Sequence, residues 1–388
     1  MNREKGNDLS AKFCSAARIN LRLALAVILF SLSACNRTTT APPFAPSTLN
    51  SGDGQAVRPR DSFADVVDRV TPAVVTVRSE RIVRAPQQFP FFHPFGSPSP
   101  QAPEPPRQRG LGSGVIVTPD GFIVTNHHVI DGAENIEVVL SDNRAFNARV
   151  IGSDPASDLA VLKIDSHDLP VLPLGDSDRV RVGDIALAIG NPLGLTQTVT
   201  AGIISAKGRS TGLSDGSFED FLQTDAPINQ GNSGGALVNT NAELIGINSQ
   251  ILSPTGGNIG IGFAIPSNMT RNVMSQLIST GQVRRSRLGT TIQPVTSNIA
   301  ERLGLPEVRG VLVAQAEPGG PAARAGIREG DVIWAFNGNP VADGNSLRNQ
   351  VASTQPGTEV TLTIFRDGRE QQVPVTLGEF IPGQAGRG

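Results

Sequence analysis

Between residues 115 and 265 the chain offers one short apolar run after another, at 115–117, 122–125, 136–140, 159–164, 185–189, 199–205, 244–248 and 261–265. Turn residues separate these runs, and no long helical stripe intervenes. That pattern argues against a doubly wound parallel sheet and predicts an antiparallel barrel or sandwich. A short amphipathic helix is expected where Phe63, Val66, Val67 and Val70 recur at helical spacing, leading into a strand at 74–77. The first long helical pattern is 267–280, with Met269, Val273 and Leu277 on one stripe and Gly281 at its stop, as if closing a domain. Beyond Arg284 the pattern changes to a smaller α+β unit. Its strands are expected at 289–294, 310–315, 332–336, 360–366 and 371–377, and its helices at 297–303 and 346–353. Asn337-Gly338 and Asp367-Gly368 are the dipeptides that primed hairpin turns prefer.

A chain of 388 residues holds two such domains with extensions. Its 42 glycines and 29 prolines make up less than a fifth of it, below the ~25–30% of low-complexity chains. With a net charge of -2 and no basic domain, nucleic-acid binding is disfavoured. Two cysteines exclude a disulfide framework, and the absence of tyrosine with a single tryptophan excludes broad aromatic stacking surfaces.

Residues 1–22 are basic, and the apolar run 23–34 is too short to span a bilayer but has the size of a signal-peptide core. It ends Leu32-Ser33-Ala34-Cys35, which resembles the bacterial lipobox, so residues 1–34 are read as a lipoprotein signal peptide and Cys35 as the lipidated residue. An ordinary signal peptide cut nearby is the alternative. Asn36, where such lipoproteins retained at the inner membrane carry Asp, favours the outer membrane by the same resemblance. Residues 35–60 are Thr, Pro, Ser and Gly without apolar period, a flexible tether. A second Pro-rich stretch at 84–109 holds Phe89, Phe91, Phe92 and Phe95. It is either a disordered insertion or a loop whose phenylalanines contact another subunit or a substrate. Residues 380–388 read as a disordered tail.

Three segments carry chemistry: Thr125-Asn126-His127-His128-Val129, Asp154-Pro155-Ala156-Ser157-Asp158-Leu159-Ala160 and Gly231-Asn232-Ser233-Gly234-Gly235. Acyl transfer needs a hydroxyl nucleophile, an imidazole that takes its proton, and a carboxylate that holds the imidazole in the right tautomer. The four histidines make a short list: His93 lies in the Pro-rich stretch and His167 in a polar turn. His128 is taken over His127 as the base because trypsin-like enzymes carry it fourth in a Thr-x-x-His segment. Asp158 is taken over Asp154 because the apolar run 159–162 starts directly after it, where a buried His–Asp bond is expected. Ser233 is the expected nucleophile, with the amides of Gly231 and Ser233 as oxyanion donors. No metal-ligand spacing and no phosphate-binding Gly loop is present, so neither metal nor cofactor is expected.

With Asp225-Ala226-Pro227-Ile228-Asn229 before the serine and Gly257-Asn258-Ile259-Gly260-Ile261-Gly262-Phe263-Ala264-Ile265-Pro266 after it, residues 63–379 resemble the HtrA/Deg family of serine proteases. The resemblance implies a mainly β chain: a chymotrypsin-like double β-barrel over 61–282, then a smaller α+β PDZ domain over 285–379. It implies a peptide-carboxylate loop at Arg287-Leu288-Gly289-Thr290, a homotrimer or multiples of it, and unfolded polypeptides and hydrophobic C-terminal peptides as partners. A peptide would add to the strand after Gly289 and lie against the 346–353 helix. Asn232 stands where trypsin-like digestive enzymes have Asp, so activation by a newly cut N-terminus is not expected. Pro227 replaces the acid of trypsin's pocket. With Ile228, Ile251, Leu252 and Ile261 this predicts a small apolar pocket and cleavage after Val, Ala and other small aliphatic residues. The expectation is a periplasmic, lipid-anchored endopeptidase for misfolded proteins. A holdase or PDZ adaptor on a protease fold, and a regulatory protease with one membrane-protein substrate, are the alternatives.

Overall fold

The computed structural model describes residues 62–82, 107–191, 197–211, 218–229, 231–251 and 259–381. Cys35, the signal and tether segments, His93, the four phenylalanines of the Pro-rich stretch, Leu252 and residues 382–388 lie outside the described residues. Helix α1 (Ala64–Val70) leads into β1 (Val74–Ile82), β2 (Arg107–Ile116), β3 (Phe122–Thr125), helix α2 (His127–Ile130), β4 (Asn135–Val139), β5 (Ala145–Asp154) and β6 (Leu159–Ile164). The six strands close into a barrel in the order β1-β2-β3-β6-β5-β4. A second closed barrel, β10-β11-β12-β9-β8-β7, uses β7 (Ile185–Gly190), β8 (Thr198–Arg209), β9 (Phe221–Thr224), β10 (Ala236–Val238), β11 (Leu244–Ile251) and β12 (Gly262–Pro266), and helix α3 (Ser267–Thr280) follows it. Closure pairs every strand on both sides and leaves no open edge.

The continuous apolar runs have a simple cause: their strands are buried on both faces. In β6, Ala160, Leu162 and Ile164 fill the first barrel, while Leu159 and Val161 point into a layer between the barrels. In β7, Ala186 and Ala188 fill the second barrel, while Leu187 and Ile189 join the same layer. Val115, Val124, Ala236, Ile247 and Phe263 complete it, and Val273 and Leu277 of α3 pack onto it. Helix α3 stops at Gly281 in the left-handed region, as read from the sequence.

The C-terminal unit comprises β13 (Ser286–Arg287), β14 (Thr290–Pro294), α4 (Ser297–Leu303), β15 (Val311–Ala316), α5 (Pro321–Arg324), β16 (Val332–Phe336), β17 (Asn339–Pro340), α6 (Gly344–Ser353), β18 (Glu359–Arg366), β19 (Arg369–Thr376) and β20 (Gly378–Glu379). Its main sheet runs β14-β15-β16-β18-β19, with β14 at an edge. Both expected hairpins form, Phe336 pairing Asn339 and Arg366 pairing Arg369.

Several expectations are corrected. The Pro-rich insertion is shorter than 84–109, because β2 begins at Arg107, which pairs with Ile82; a backbone ladder needs no apolar pattern. Strands β5, β9 and β10 and the one-turn helices α2 and α5 are not among the expected elements, although Ala236-Leu237-Val238 of β10 is itself a short buried apolar run. The tail does not begin at 380: the Phe380 amide donates to the Arg285 carbonyl at 2.8 Å, and its ring packs edge-on against Phe218 at 5.9 Å.

Asp220 precedes β9, half-buried where the C-terminal unit meets the second barrel. Burial, then the nearby charges of Asp178 and Asp343 against Lys207, push its carboxyl up to about 6. The folded chain therefore binds this proton more tightly than the unfolded chain, and stability falls as pH rises from ~4 to ~6. Asp220→Asn should raise Tm by about 3–6 °C at pH 7.5 and by less than about 1 °C at pH 4. Equal shifts by calorimetry at the two pH values would contradict this.

Candidate active site

His128 sits in the single turn of α2, directly after β3 of the first barrel. The turn is anchored to the β5–β6 corner: the Asn126 side-chain amide and the His127 backbone amide both donate to the Asp158 carbonyl, at 3.0 and 3.1 Å. Asp158 occupies that corner at φ +56°. Its carboxylate accepts the His128 backbone amide at 3.0 Å and faces His128 Nδ1 at 3.0 and 2.9 Å through its two oxygens. The Ser249 hydroxyl donates to Asp158 Oδ2 at 2.8 Å from the second barrel. The pair is not buried as expected: the His128 side chain is 49% exposed and that of Asp158 26%, because both line an open cleft between the barrels.

Ser233 lines the same cleft, which has a volume of about 590 Å³. Its hydroxyl donates to the Ser249 carbonyl at 2.9 Å. The loop that presents it is pinned by backbone bonds from Ser113 N to Ser233 O and from Gly234 N to Asn248 O, both 2.8 Å. Gly234 has φ +82°, and a Cβ there would overlap the Ser113 carbonyl oxygen and the Thr125 hydroxyl, so no larger residue fits. Gly231 has φ +98°, and the peptide unit joining it to Asn232 separates its amide from that of Ser233 along the chain.

Of the expected pocket residues, Ile228 and Ile251 line the cleft, joined by Phe218 and Phe221. Ile261 instead packs against the layer between the barrels. Asp154, the carboxylate passed over, is buried and bound to Arg285 and to the Ser157 hydroxyl. His127 is half-buried, with Nε2 3.7 Å from Asp131, and His167 is exposed. Sequence reasoning missed Ser249 and Ser113. The signal available for Ser249 was a pair of polar residues, Asn248 and Ser249, directly after the apolar run at the start of β11. Among the described residues no group of three or more His, Cys, Asp or Glu is placed to hold a metal ion.

Arg287, Leu288, Gly289 and Thr290 line a second cavity of about 600 Å³, bounded by Ile292 of β14 and by Leu347, Arg348 and Val351 of α6. Arg287 pairs with Glu317 at 2.6 Å. Phe218 borders both this cavity and the cleft, held between the guanidinium groups of Arg285 and Arg348 at 4.5 and 4.6 Å. The next carbonyl, of Glu219, accepts from the side-chain amides of Asn345 and Asn349 at 2.8 and 2.6 Å.

Residues 112–247 match the family model of a trypsin-like peptidase domain, and residues 282–377 that of a PDZ domain. The periplasmic pH-dependent serine endoprotease DegQ of Escherichia coli (strain K12) is 47% identical over 323 residues, covering 82% of this chain and 70% of DegQ. The periplasmic serine endoprotease DegP of the same strain is 43% identical over 388 residues, covering 93% and 81%. The solved structure of the HtrA-type protease AlgW with a tripeptide is 43% identical with a TM-score of 0.67, covering 84% of this chain and 99% of that one. A double barrel, a PDZ domain and identity at this level over most of the chain agree: the protein belongs to the HtrA/Deg family and is a serine endopeptidase.

Proposed function

We propose that Ser233, His128 and Asp158 carry out peptide hydrolysis through an acyl-enzyme, with the Gly231 and Ser233 amides holding the oxyanion. The observation that carries the reading is Asp158 bonded to His128 Nδ1 in the cleft that Ser233 lines. A carboxylate accepting the Nδ1 proton leaves Nε2 with its lone pair free to act as base. For attack the Ser233 hydroxyl must leave the Ser249 carbonyl, to which it donates here, for Nε2, a rearrangement that unliganded sites commonly require. As the hydroxyl oxygen attacks the scissile carbonyl, its proton passes to Nε2 and charge builds on the carbonyl oxygen. The imidazolium then protonates the leaving amine, and a water activated by the same nitrogen releases the acyl group. Asp158 stabilises the imidazolium, and the Ser249 hydroxyl keeps its second oxygen in place.

The compartment is the periplasm, as for DegP and DegQ, with Cys35 as a lipid anchor, the outer membrane favoured and a trimer the unit of assembly. The substrates are unfolded or misfolded polypeptides. The apolar walls formed by Ile228, Ile251 and Phe221, with no charged side chain in the position of trypsin's acid, favour a small aliphatic residue on the acyl side of the cut.

The PDZ domain takes hydrophobic C-terminal peptides at residues 287–290 by strand addition to β14, and regulates cleavage. The support is contact: Phe218 borders both cavities, and the buried Asp154–Arg285 pair ties the β5–β6 corner carrying Asp158 to the start of the PDZ domain.

Ser233→Ala should lower casein hydrolysis by at least about a thousandfold with folding intact; retained hydrolysis would remove Ser233 from its role. Mass spectrometry of wild-type casein fragments should show cuts after Val, Ala and similar residues, and predominant cuts after Lys or Arg would overturn the pocket reading. Asn349 contacts Glu219 but does not border the peptide cavity. Asn349→Ala should therefore leave the Kd of a hydrophobic C-terminal peptide within about twofold while changing its effect on casein cleavage by several-fold, since a buried hydrogen bond contributes roughly 1 kcal/mol. An unchanged peptide effect would exclude this contact from the coupling.

A further inference from the structure

The geometry points to Ser113 as a positioning residue that sets the oxyanion donors, an inference resting on the reading of the Gly231 and Ser233 amides as those donors. Ser113 is not on the loop that carries them. It lies in β2 of the first barrel, fully buried, where that strand meets the catalytic loop of the second. Every polar group it has is hydrogen-bonded, and two of them bond the Gly231–Ser233 loop. Its hydroxyl donates to the Gly231 carbonyl at 2.6 Å and accepts the Asn191 amide at 2.8 Å. Its own amide donates to the Ser233 carbonyl at 2.8 Å, and its carbonyl accepts the Thr125 hydroxyl at 2.7 Å.

The peptide unit joining Gly231 to Asn232 lies between the two donors, and the Ser113 hydroxyl holds one end of it. At the other end, the Asn232 amide donates to the Asn229 carbonyl at 3.0 Å. A plane pinned at both ends cannot turn without breaking one of these bonds. Gly231 is the residue least able to resist such a turn, because at φ +98° it has no Cβ to restrict its backbone. The restraint that side-chain sterics cannot supply comes from the hydroxyl across the barrel interface. Without it the Gly231 carbonyl is left buried and unsatisfied, a cost that rotation of the peptide relieves. That rotation moves the flanking amides away from the oxyanion. Oxyanion donors act by being fixed before charge develops, so the loss falls on the transition state and spares substrate binding.

The test compares Ser113→Ala, Ser113→Thr and wild type, with turnover normalised to sites counted by complete reaction with a fluorophosphonate. Ser233→Ala serves as the unreactive control. Counting sites keeps the comparison meaningful where Ser113→Ala folds incompletely, because misfolded molecules drop out of the count. Ser113→Ala should lose about 10- to 100-fold in kcat with KM within about threefold, less than the 10²–10³ for removing a donor outright. The inhibition constant of a peptide boronate, which forms a tetrahedral adduct, should rise by the same factor. Ser113→Thr, which keeps the hydroxyl, should return kcat to within about threefold of wild type. Unchanged kcat per site in Ser113→Ala, an equal loss in both variants, or a loss of kcat with unchanged boronate affinity would overturn the assignment. If the catalytic reading itself is wrong, the wild type instead fails to label at Ser233, which separates the two failures.

Discussion

The apolar layer between the two barrels is the constraint on which the site depends. Each barrel satisfies its own backbone hydrogen bonds by closing, so their relative placement rests chiefly on side-chain packing through residues such as Val115, Val124, Leu159, Leu187, Ile189, Ile247 and Phe263. His128 and Asp158 belong to the first barrel, and Ser233 and Ser249 to the second. Interiors packed at crystal-like density do not slide, and the layer therefore gathers His128, Asp158, Ser233 and Ser249 from separate strands and corners around one cleft. The bond from Ser249 to Asp158, and those between Ser113 and the loop that presents Ser233, are the polar counterparts of this layer.

A second, smaller junction joins the PDZ domain to the same site. Arg285 leaves α3 and the second barrel behind and reaches back to Asp154, four residues before Asp158. Breaking a buried pair of this kind leaves an uncompensated charge, so each partner holds the other in place. Phe218 fills the remaining space between Arg285 and Arg348, and the Glu219 carbonyl is bound by α6. Asp220, half-buried at the same junction, adds a carboxylate that folding makes harder to ionise. Three consecutive residues, Phe218, Glu219 and Asp220, thus place the PDZ domain against the wall of the cleft.

Much of the architecture was legible because doubly buried strands leave unmistakable apolar runs. The runs at 159–164 and 185–189 are full strands, and helix α3 starts and stops at its read boundaries. Strand β5 was not legible, because it is half-exposed and its sequence, AFNARVIGSD, follows its register with β6 more than any apolar period. The first residues of β2 were hidden by the Pro-rich segment before them, since their only task is to pair with β1. The expected burial of the His128–Asp158 pair did not hold, because the corner after β5 opens onto the cleft while the buried strand begins one residue later.

The sequence by itself determined the family and the chemistry, and it singled out His128, Asp158 and Ser233 as the residues proposed to carry that chemistry. These are properties of residue type, order and spacing, and order and spacing are preserved along a chain. It also favoured Asp158 over Asp154, and the structure places Asp158 alone against His128. Only the tertiary structure decided which other residues join them. Ser113 is 120 residues from Ser233 in sequence and Ser249 is 91 from Asp158, and no local pattern announces either pairing. Their roles come from two separately closed barrels being pressed together, which makes neighbours of positions that the chain keeps far apart.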